Sequence, residues 1–230
     1  MMKLFIVRHA TAQDKGEALP DFERSLVKKG EKEALAVARH LAAGQAPPDL
    51  MISSFANRAI ETAHLFAKAF RYPRQRILLR DTFYGSVQTE NLFNEIRKQP
   101  DKYRSLMLFG HDPAFSQLAA FLIKDFREVL PKAGVVVAEF PIKRWRDLEG
   151  SAGRLVEFTG PGMIKEQRRR ARNDLEERLA RSIGGILARV NRAGASAYQK
   201  EMRRSARKVA RGFMKTLVGG PSRKPGRRAA

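Results

Sequence analysis

Two short apolar runs in this chain each end in polar, chemically active side chains. Residues 4–7 are followed by Arg8 and His9, and residues 106–109 are followed, after one glycine, by His111. Four consecutive apolar residues are typical of a strand that is buried on both faces of a parallel sheet. Such sheets bind ligands just beyond the carboxyl ends of their strands. Both runs therefore predict a binding site at one edge of a sheet.

Segments with helical spacing of apolar residues separate the predicted strands. Further strands are predicted over residues 49–53, 77–79, 135–140 and 155–159, and helices over residues 27–41, 55–70, 89–98 and 114–123. Ser54 and Asp112 are the predicted N-caps of the second and fourth helices. Alternating strands and helices favour a mostly parallel sheet with helices on both faces, and the last two strands suit a hairpin. We therefore predict an α/β fold, a three-layer α/β/α sandwich.

The positive charge is concentrated in the last third of the chain. The net charge is +21, and residues 162–230 hold 20 Lys and Arg against 5 Asp and Glu, which accounts for 15 of those charges. Apolar residues in this segment follow helical stripes, whereas its end is rich in Gly, Pro, Ser and Arg. We predict a globular domain over residues 1–161, a basic amphipathic helical extension over residues 162–218, and a disordered tail over residues 219–230.

The composition excludes several classes of protein. The chain contains no cysteine, which rules out disulfides and thiolate metal sites, and its four histidines are scattered. We therefore predict neither a metal nor a cofactor. No apolar run approaches the roughly 18 residues that cross a bilayer, and the start of the chain lacks the apolar core of a signal peptide. We expect a cytoplasmic protein that is not transmembrane.

Side chains that bind phosphate follow three of the predicted strands. Besides Arg8, His9 and His111, Arg58 lies in the first turn of the helix that follows residues 49–53. The carboxyl ends of parallel strands share one crevice, so two guanidinium groups, two imidazoles and a helix N-terminus can converge on one phosphoryl group. Taken singly, Arg58 is also compatible with a solvated helix arginine, and His111 with a hydrogen-bonded turn histidine.

These residues belong to a set of five motifs that resembles those of the histidine phosphatase superfamily, a phosphoglycerate mutase-like family. Within that superfamily, the set resembles the SixA-type phosphohistidine phosphatases. The motifs are Val7-Arg8-His9-Ala10, the segment from Asp21 to Gly30, the segment from Ser54 to Ala63, Phe83-Tyr84, and Gly110-His111-Asp112-Pro113. Ser25 and Phe55 stand where the family usually has proline. The resemblance covers residues 3–160, so it assigns no role to the basic extension.

The resemblance implies a phosphatase that forms a covalent phosphohistidine intermediate on His9. The implied catalytic residues are His9, Arg8, Arg58 and His111, and the implied substrate-binding residues are Arg24 and Tyr84. A neutral imidazole is a good nucleophile near pH 7, and guanidinium groups neutralise the charge of the transition state. The expected substrate is a phosphorylated protein, above all protein phosphohistidine, or a small phosphorylated molecule.

The general acid and the role of the extension stay open. Asp14, Glu17, Asp81 and Asp112 are candidate acids by position alone. Alternative functions are a phosphatase of a small phosphorylated metabolite, and a phosphate-recognising scaffold whose basic extension binds a polyanion. That polyanion is a nucleic acid, an anionic lipid or an acidic protein. The extension is also compatible with packing on the phosphatase domain, or with a solvated helical segment that only aids solubility.

Overall fold

The computed structural model describes residues 1–16, 20–85, 88–191, 195 and 197–219. The chain divides into two compact units, residues 1–164 and 165–230. The predicted disordered tail lies outside the described residues, apart from Gly219 at the end of the last helix. None of the described helices combines the length and the apolar character that a bilayer crossing requires.

The first unit is built on a six-stranded sheet with the order β3-β2-β4-β1-β5-β6. The strands are β1 (Met2–Arg8), β2 (Leu50–Ser53), β3 (Leu78–Leu79), β4 (Ser105–Gly110), β5 (Val135–Phe140) and β6 (Arg154–Thr159). The helices of this unit are α1 (Lys28–Gly44), α2 (Asn57–Phe70), α3 (Thr89–Arg97) and α4 (Ala114–Leu122), with 3-10 turns at Asp21–Glu23, Arg74–Arg76, Asp81–Phe83 and Trp145–Asp147. The first four strands are parallel, whereas β5 runs antiparallel to β1 and β6 antiparallel to β5. The predicted α/β class and the closing hairpin are confirmed.

Strand β1 lies inside the sheet and buries both of its faces. Leu4 and Ile6 belong to the apolar cluster that contains the buried side chains of α3 and α4. Phe5 and Val7 belong to the cluster that contains those of α1 and α2. Successive strand side chains point to opposite faces, so a strand between two helical layers needs an apolar residue at each position. The predicted three-layer sandwich is confirmed, and the layering explains the uninterrupted apolar run.

A loop between β1 and α1 covers the carboxyl end of β1. A side chain at Gly30, in the first turn of α1, would overlap the carbonyl group of Thr11, so the close approach of loop and helix requires glycine. A bridge between Ala12 and Leu26 closes the base of the loop. The 3-10 turn Asp21–Glu23 within this loop contacts α2. The loop thereby carries its polar side chains to the edge of the sheet where the parallel strands end.

The predicted cap of the second helix is wrong. Helix α2 begins at Asn57, and its N-cap is Ala56, which makes no side-chain capping bond. The Ser54 hydroxyl accepts the N–H of Ala56 at 3.3 Å, before the helix begins, and lies 2.9 Å from His111 Nε2, across the edge of the sheet. A tertiary contact thus engages the side chain that local rules assign to helix capping.

The second unit contains two basic helices, as predicted. They are α5 (Pro161–Val190), whose first turn belongs to the first unit, and α6 (Gln199–Gly219). A side chain at Gly184 of α5 would lie 3.9 Å from Met202 of α6, and Arg207 Nε donates to Glu176 Oε1 at 2.8 Å. The residue numbers of these pairs run in opposite directions, so the two helices are antiparallel neighbours. Both helices continue through the glycines that they contain.

Candidate active site

His9 follows the end of β1, and one of its ring nitrogens is held by its own neighbour. His9 Nδ1 lies 2.8 Å from the carbonyl oxygen of Ala10. A carbonyl oxygen only accepts, so Nδ1 carries the proton and Nε2 keeps its lone pair. Burial lowers the pKa of His9 to about 4; the bond to Ala10 opposes this shift, and the charges of Arg58 and Arg8 reinforce it. His9 is therefore neutral at pH 7 and presents a nucleophilic nitrogen.

His111 follows β4, and its ring centroid lies 5.1 Å from that of His9. Its Nε2 is 2.9 Å from Ser54 Oγ, which accepts the N–H of Ala56 at 3.3 Å and so can donate its hydroxyl hydrogen to the ring. With Ser54 as the donor, the proton of His111 resides on Nδ1, which is buried and has no partner among the described residues. Burial, together with the neighbouring His9 and Arg58, lowers the pKa of His111 to about 3.

Arg8 is held by a network at the end of β1. Its Nη1 donates to the carbonyl oxygen of Leu130 at 2.6 Å and lies 3.7 Å from Asp112 Oδ2. Asp112 also accepts the hydroxyl of Ser116, which in turn accepts the N–H of Leu130 at 2.9 Å. Asp112 is therefore not the predicted helix cap, and Pro113 takes that position. The network orients the guanidinium group of Arg8 at the strand end.

Arg58 in α2 is 5% exposed and points towards the loop that covers β1. Its Nη1 donates to the backbone oxygen of Asp21 at 2.5 Å, and its Nη2 donates to Asp21 Oδ2 at 2.9 Å. The same carboxylate accepts from Arg24 Nη2 at 2.7 Å and from the Tyr84 hydroxyl at 3.1 Å. Desolvation raises the pKa of Asp21, but the hydrogen bonds from Arg24 and Arg58 outweigh it and lower the pKa to about 2. The two predicted substrate-binding residues thus meet Arg58 at one ionised carboxylate.

Three buried side-chain nitrogens have no hydrogen-bond partner in the part of the chain that the structure describes. They are Arg8 Nε, Arg58 Nε and His111 Nδ1. An unpaired buried polar group costs about 1–3 kcal/mol, and most are therefore paired. All three atoms belong to residues predicted to contact phosphate, and N–H donors of this kind bind oxyanions. The site can thus bind an oxyanion beside the neutral His9.

A comparison with protein families agrees with this chemistry. A model of the histidine phosphatase superfamily, branch 1, matches residues 4–140. The chain belongs to this superfamily. It is a phosphatase, as the sequence motifs predicted, and the family match ends before the basic extension begins.

Solved structures of other phosphatases share the fold. The SixA protein of Agrobacterium tumefaciens, assigned as a phosphohistidine phosphatase, is 27% identical with a TM-score of 0.59, over 70% of this chain and 98% of that one. The protein histidine phosphatase SixA complexed with tungstate is 16% identical with a TM-score of 0.61, over 70% and 98% of the two chains. A mycobacterial glucosyl-3-phosphoglycerate phosphatase is 15% identical with a TM-score of 0.51, over 69% and 99%. No curated protein matches the sequence. The predicted SixA-type resemblance is confirmed.

The candidate acids of this histidine phosphatase are dispersed. Asp14 and Asp81 are exposed, and Glu17 lies outside the described residues. Asp112 pairs with Arg8 and accepts the hydroxyl of Ser116, so both of its carboxylate oxygens are engaged. Within the described ranges, no group of three or more His, Asp or Glu side chains is arranged to hold a metal ion.

Two residues of the site were missed by the sequence interpretation. Asp21 lies in the second motif, which gives it no role, yet it contacts Arg58, Arg24 and Tyr84. Its position three residues before Arg24 was the available signal, since the two side chains form an ion pair at this spacing. Ser54 was assigned to helix capping, and no local pattern indicates its bond to His111.

Proposed function

We propose that this phosphatase hydrolyses phosphohistidine in a protein substrate through a covalent phosphohistidine intermediate on His9. The observation that carries the proposal is the neutral imidazole of His9, which has His111 at 5.1 Å and feels the charges of Arg58 and Arg8. These three neighbours also hold the buried nitrogens that lack a partner among the described residues. N–H donors that lie at the reacting group stabilise the charge that develops in the transition state.

The reaction proceeds in two displacements at phosphorus. His9 Nε2 attacks in line and forms a P–N bond, and the substrate imidazole leaves with the electron pair of the bond that breaks. Water then attacks the phosphoryl group, the bond to Nε2 breaks, and inorganic phosphate departs. Arg8 and Arg58 neutralise charge on the equatorial oxygens, and His111 donates a further hydrogen bond through Nδ1.

The protonation states of the site favour a substrate whose leaving group needs no acid. His9 and His111 are neutral at pH 7 because their pKa values are lowered to about 4 and about 3, and Asp21 is ionised because its pKa is lowered to about 2. None of the three holds a proton that an alkoxide would need. A phosphohistidine ring that is already protonated leaves as neutral imidazole, whose conjugate acid has a pKa of about 6.5.

The test is to trap the intermediate. The wild-type protein and its His9→Ala variant are mixed with radiolabelled phosphoimidazole and quenched in alkali, which preserves phosphohistidine. We expect label on His9 of the wild type and none on the variant. His64→Gln, which changes a histidine of α2 outside the five motifs, is the matched control and should be labelled normally. Normal labelling of His9→Ala would refute the nucleophile, and faster turnover of alkyl phosphomonoesters than of phosphoimidazole would favour the small-metabolite alternative.

We also propose a polyanion-binding role for the helical extension. The groove between α5 and α6 is lined by Arg172, Arg181, Arg203, Arg207 and Arg211, against two glutamates. Clustered guanidinium groups on one surface attract phosphate-rich or carboxylate-rich partners such as nucleic acid, anionic lipid or acidic protein. This role is compatible with cytoplasmic localisation, which we keep as a prediction.

A further inference from the structure

Aromatic rings form a continuous row from the protein surface to the proposed nucleophile. The ring centroids of Phe22 and Phe55 are 5.9 Å apart, those of Phe55 and Tyr84 are 4.6 Å apart, and those of Tyr84 and His111 are 5.6 Å apart. His111 then lies 5.1 Å from His9. All four spacings fall within the range of favourable ring contacts. We name Phe22, Phe55 and Tyr84 the aromatic row.

The row differs from the ring pairs of the core in its exposure. Phe83 and Phe115, for example, pack edge to face at 5.9 Å and are both buried. Phe22, in contrast, is 40% exposed, and Phe55 and Tyr84 are half-buried. Single exposed apolar residues are common on protein surfaces. A series of partly exposed rings that leads to a nucleophile is a specific arrangement, because a ligand that extends from His9 along the row would contact these rings.

Polar contacts hold the row in position. The Tyr84 hydroxyl donates to Asp21 Oδ2 at 3.1 Å, so the ring is tied to the carboxylate that binds Arg58. Asn57 Nδ2 donates to the backbone oxygen of Glu23 at 2.9 Å, which joins the start of α2 to the turn that carries Phe22. The Tyr84 ring and the turn that carries Phe22 are thus held before a ligand arrives, which lowers the entropic cost of binding.

We propose that Phe22 and Phe55 form a stacking subsite for a planar aromatic leaving group, such as the imidazole of a phosphohistidine side chain. The inference rests on the proposed phosphatase function and deepens it, because it assigns the leaving-group side of the same site. Phe55 supplies its ring at a position where the resembling family usually has proline, so the subsite is a property of this chain. The enzyme therefore discriminates aromatic from non-aromatic leaving groups by contact with these two rings. This discrimination is independent of the proposed phosphate donors Arg8, Arg58 and His111, which we name the phosphate clamp.

The experiment compares two substrates that both contain a P–N bond and differ in the ring. Steady-state kinetics with phosphoimidazole and with phosphoramidate are measured for the wild type, Phe22→Ala and Phe55→Leu. We expect kcat/KM for phosphoimidazole to fall about three- to tenfold through KM, on the scale of one lost ring contact. The values for phosphoramidate and the inhibition constant of inorganic phosphate should not change. Phe55→Tyr, which keeps the ring, should restore the wild-type preference.

Phe121→Ala is the matched control. Phe121 is 44% exposed and pairs with Phe93 at 5.2 Å, outside the aromatic row, so its loss should leave both substrates unaffected. If Phe22→Ala and Phe55→Leu keep the wild-type ratio of the two substrates, the stacking subsite is refuted while the proposed function stands. Equal losses on both substrates would also refute it, since they indicate damage to the clamp. A wild-type protein that hydrolyses neither substrate overturns both proposals.

Discussion

Ser54 and His111, which lie 57 positions apart in the sequence, are joined side chain to side chain at 2.9 Å. Each follows one of two neighbouring parallel strands, and the Ser54 N–H donates to the backbone oxygen of Phe109 at 2.9 Å. The contact from which we infer the proton position on His111 therefore depends on the pairing of β2 with β4. Sheet register, rather than any local motif, orients a proposed phosphate donor.

Replacing Ser54 with alanine is expected to lower kcat/KM about fivefold, since a neutral hydrogen bond contributes about 1 kcal/mol net. Without the hydroxyl, the His111 proton redistributes between its two nitrogens, which 15N chemical shifts of the ring report directly. Ser53→Ala is the matched control, because this adjacent buried hydroxyl donates to the Ser54 carbonyl at 2.8 Å and does not contact the ring. Wild-type rates and an unchanged tautomer in Ser54→Ala would contradict the assignment.

Asp21→Asn is expected to tighten the binding of tungstate and inorganic phosphate about three- to tenfold. The ionised carboxylate of Asp21 competes with an oxyanion for Arg58 and repels it, and an amide of the same shape removes that charge. The Asp21 carbonyl still accepts from Arg58 in the variant, so the clamp keeps one anchor. Titration calorimetry measures the effect, with Asp147→Asn, whose carboxylate pairs with the surface residue Arg144, as the control. Weaker anion binding by Asp21→Asn would show instead that the carboxylate orients the clamp.

Acidification is expected to destabilise the protein through its two active-site histidines. Their pKa values, lowered to about 4 for His9 and about 3 for His111, lie below the ordinary value of 6.5, so the unfolded chain binds more protons. The contribution of the two neutral histidines to the free energy of unfolding is complete above pH 6.5 and is lost as the pH falls towards 4. The free energy of unfolding should decrease by about 2 kcal/mol per histidine between pH 7 and pH 5.

Urea unfolding at both pH values measures this dependence. His9→Asn and His111→Asn should each remove the contribution of one histidine to this pH dependence. A wild-type free energy of unfolding that is the same at pH 5 and pH 7 would contradict the assigned pKa shifts.

The helical extension should bind long polyanions in a salt-dependent manner. For duplex DNA, replacing Arg203, Arg207 and Arg211 with glutamine should reduce the slope of log K against log salt concentration by up to about 2.7, at 0.9 per phosphate contact. The matched control replaces three exposed lysines of the first unit, Lys32, Lys68 and Lys98, and should keep the slope. A full-length protein without salt-dependent affinity for DNA, anionic vesicles or acidic protein would leave the extension as a solvated helical segment.

The site is predictable from sequence to different degrees. Arg8 and His9 follow directly from the apolar run before them, because a strand buried on both faces must expose its first polar residues at its end. Arg58 and His111 follow from the same rule applied to β2 and β4. Asp21 does not, because it lies on a loop whose path depends on the close packing of Gly30 against Thr11.

The amino-acid sequence by itself determined the layers of this protein, the ends of its parallel strands and the concentration of charge in its last third. These properties are local, since the spacing of apolar side chains along a short segment decides which faces are buried. Tertiary structure decided the hydrogen-bond partners of Ser54, Asp21 and Asp112, and with them the proton position on His111 and the orientation of Arg58 and Arg8. Such partners come from segments far apart in the chain, and their distances depend on strand register and loop path, which leave no periodic signal in the sequence.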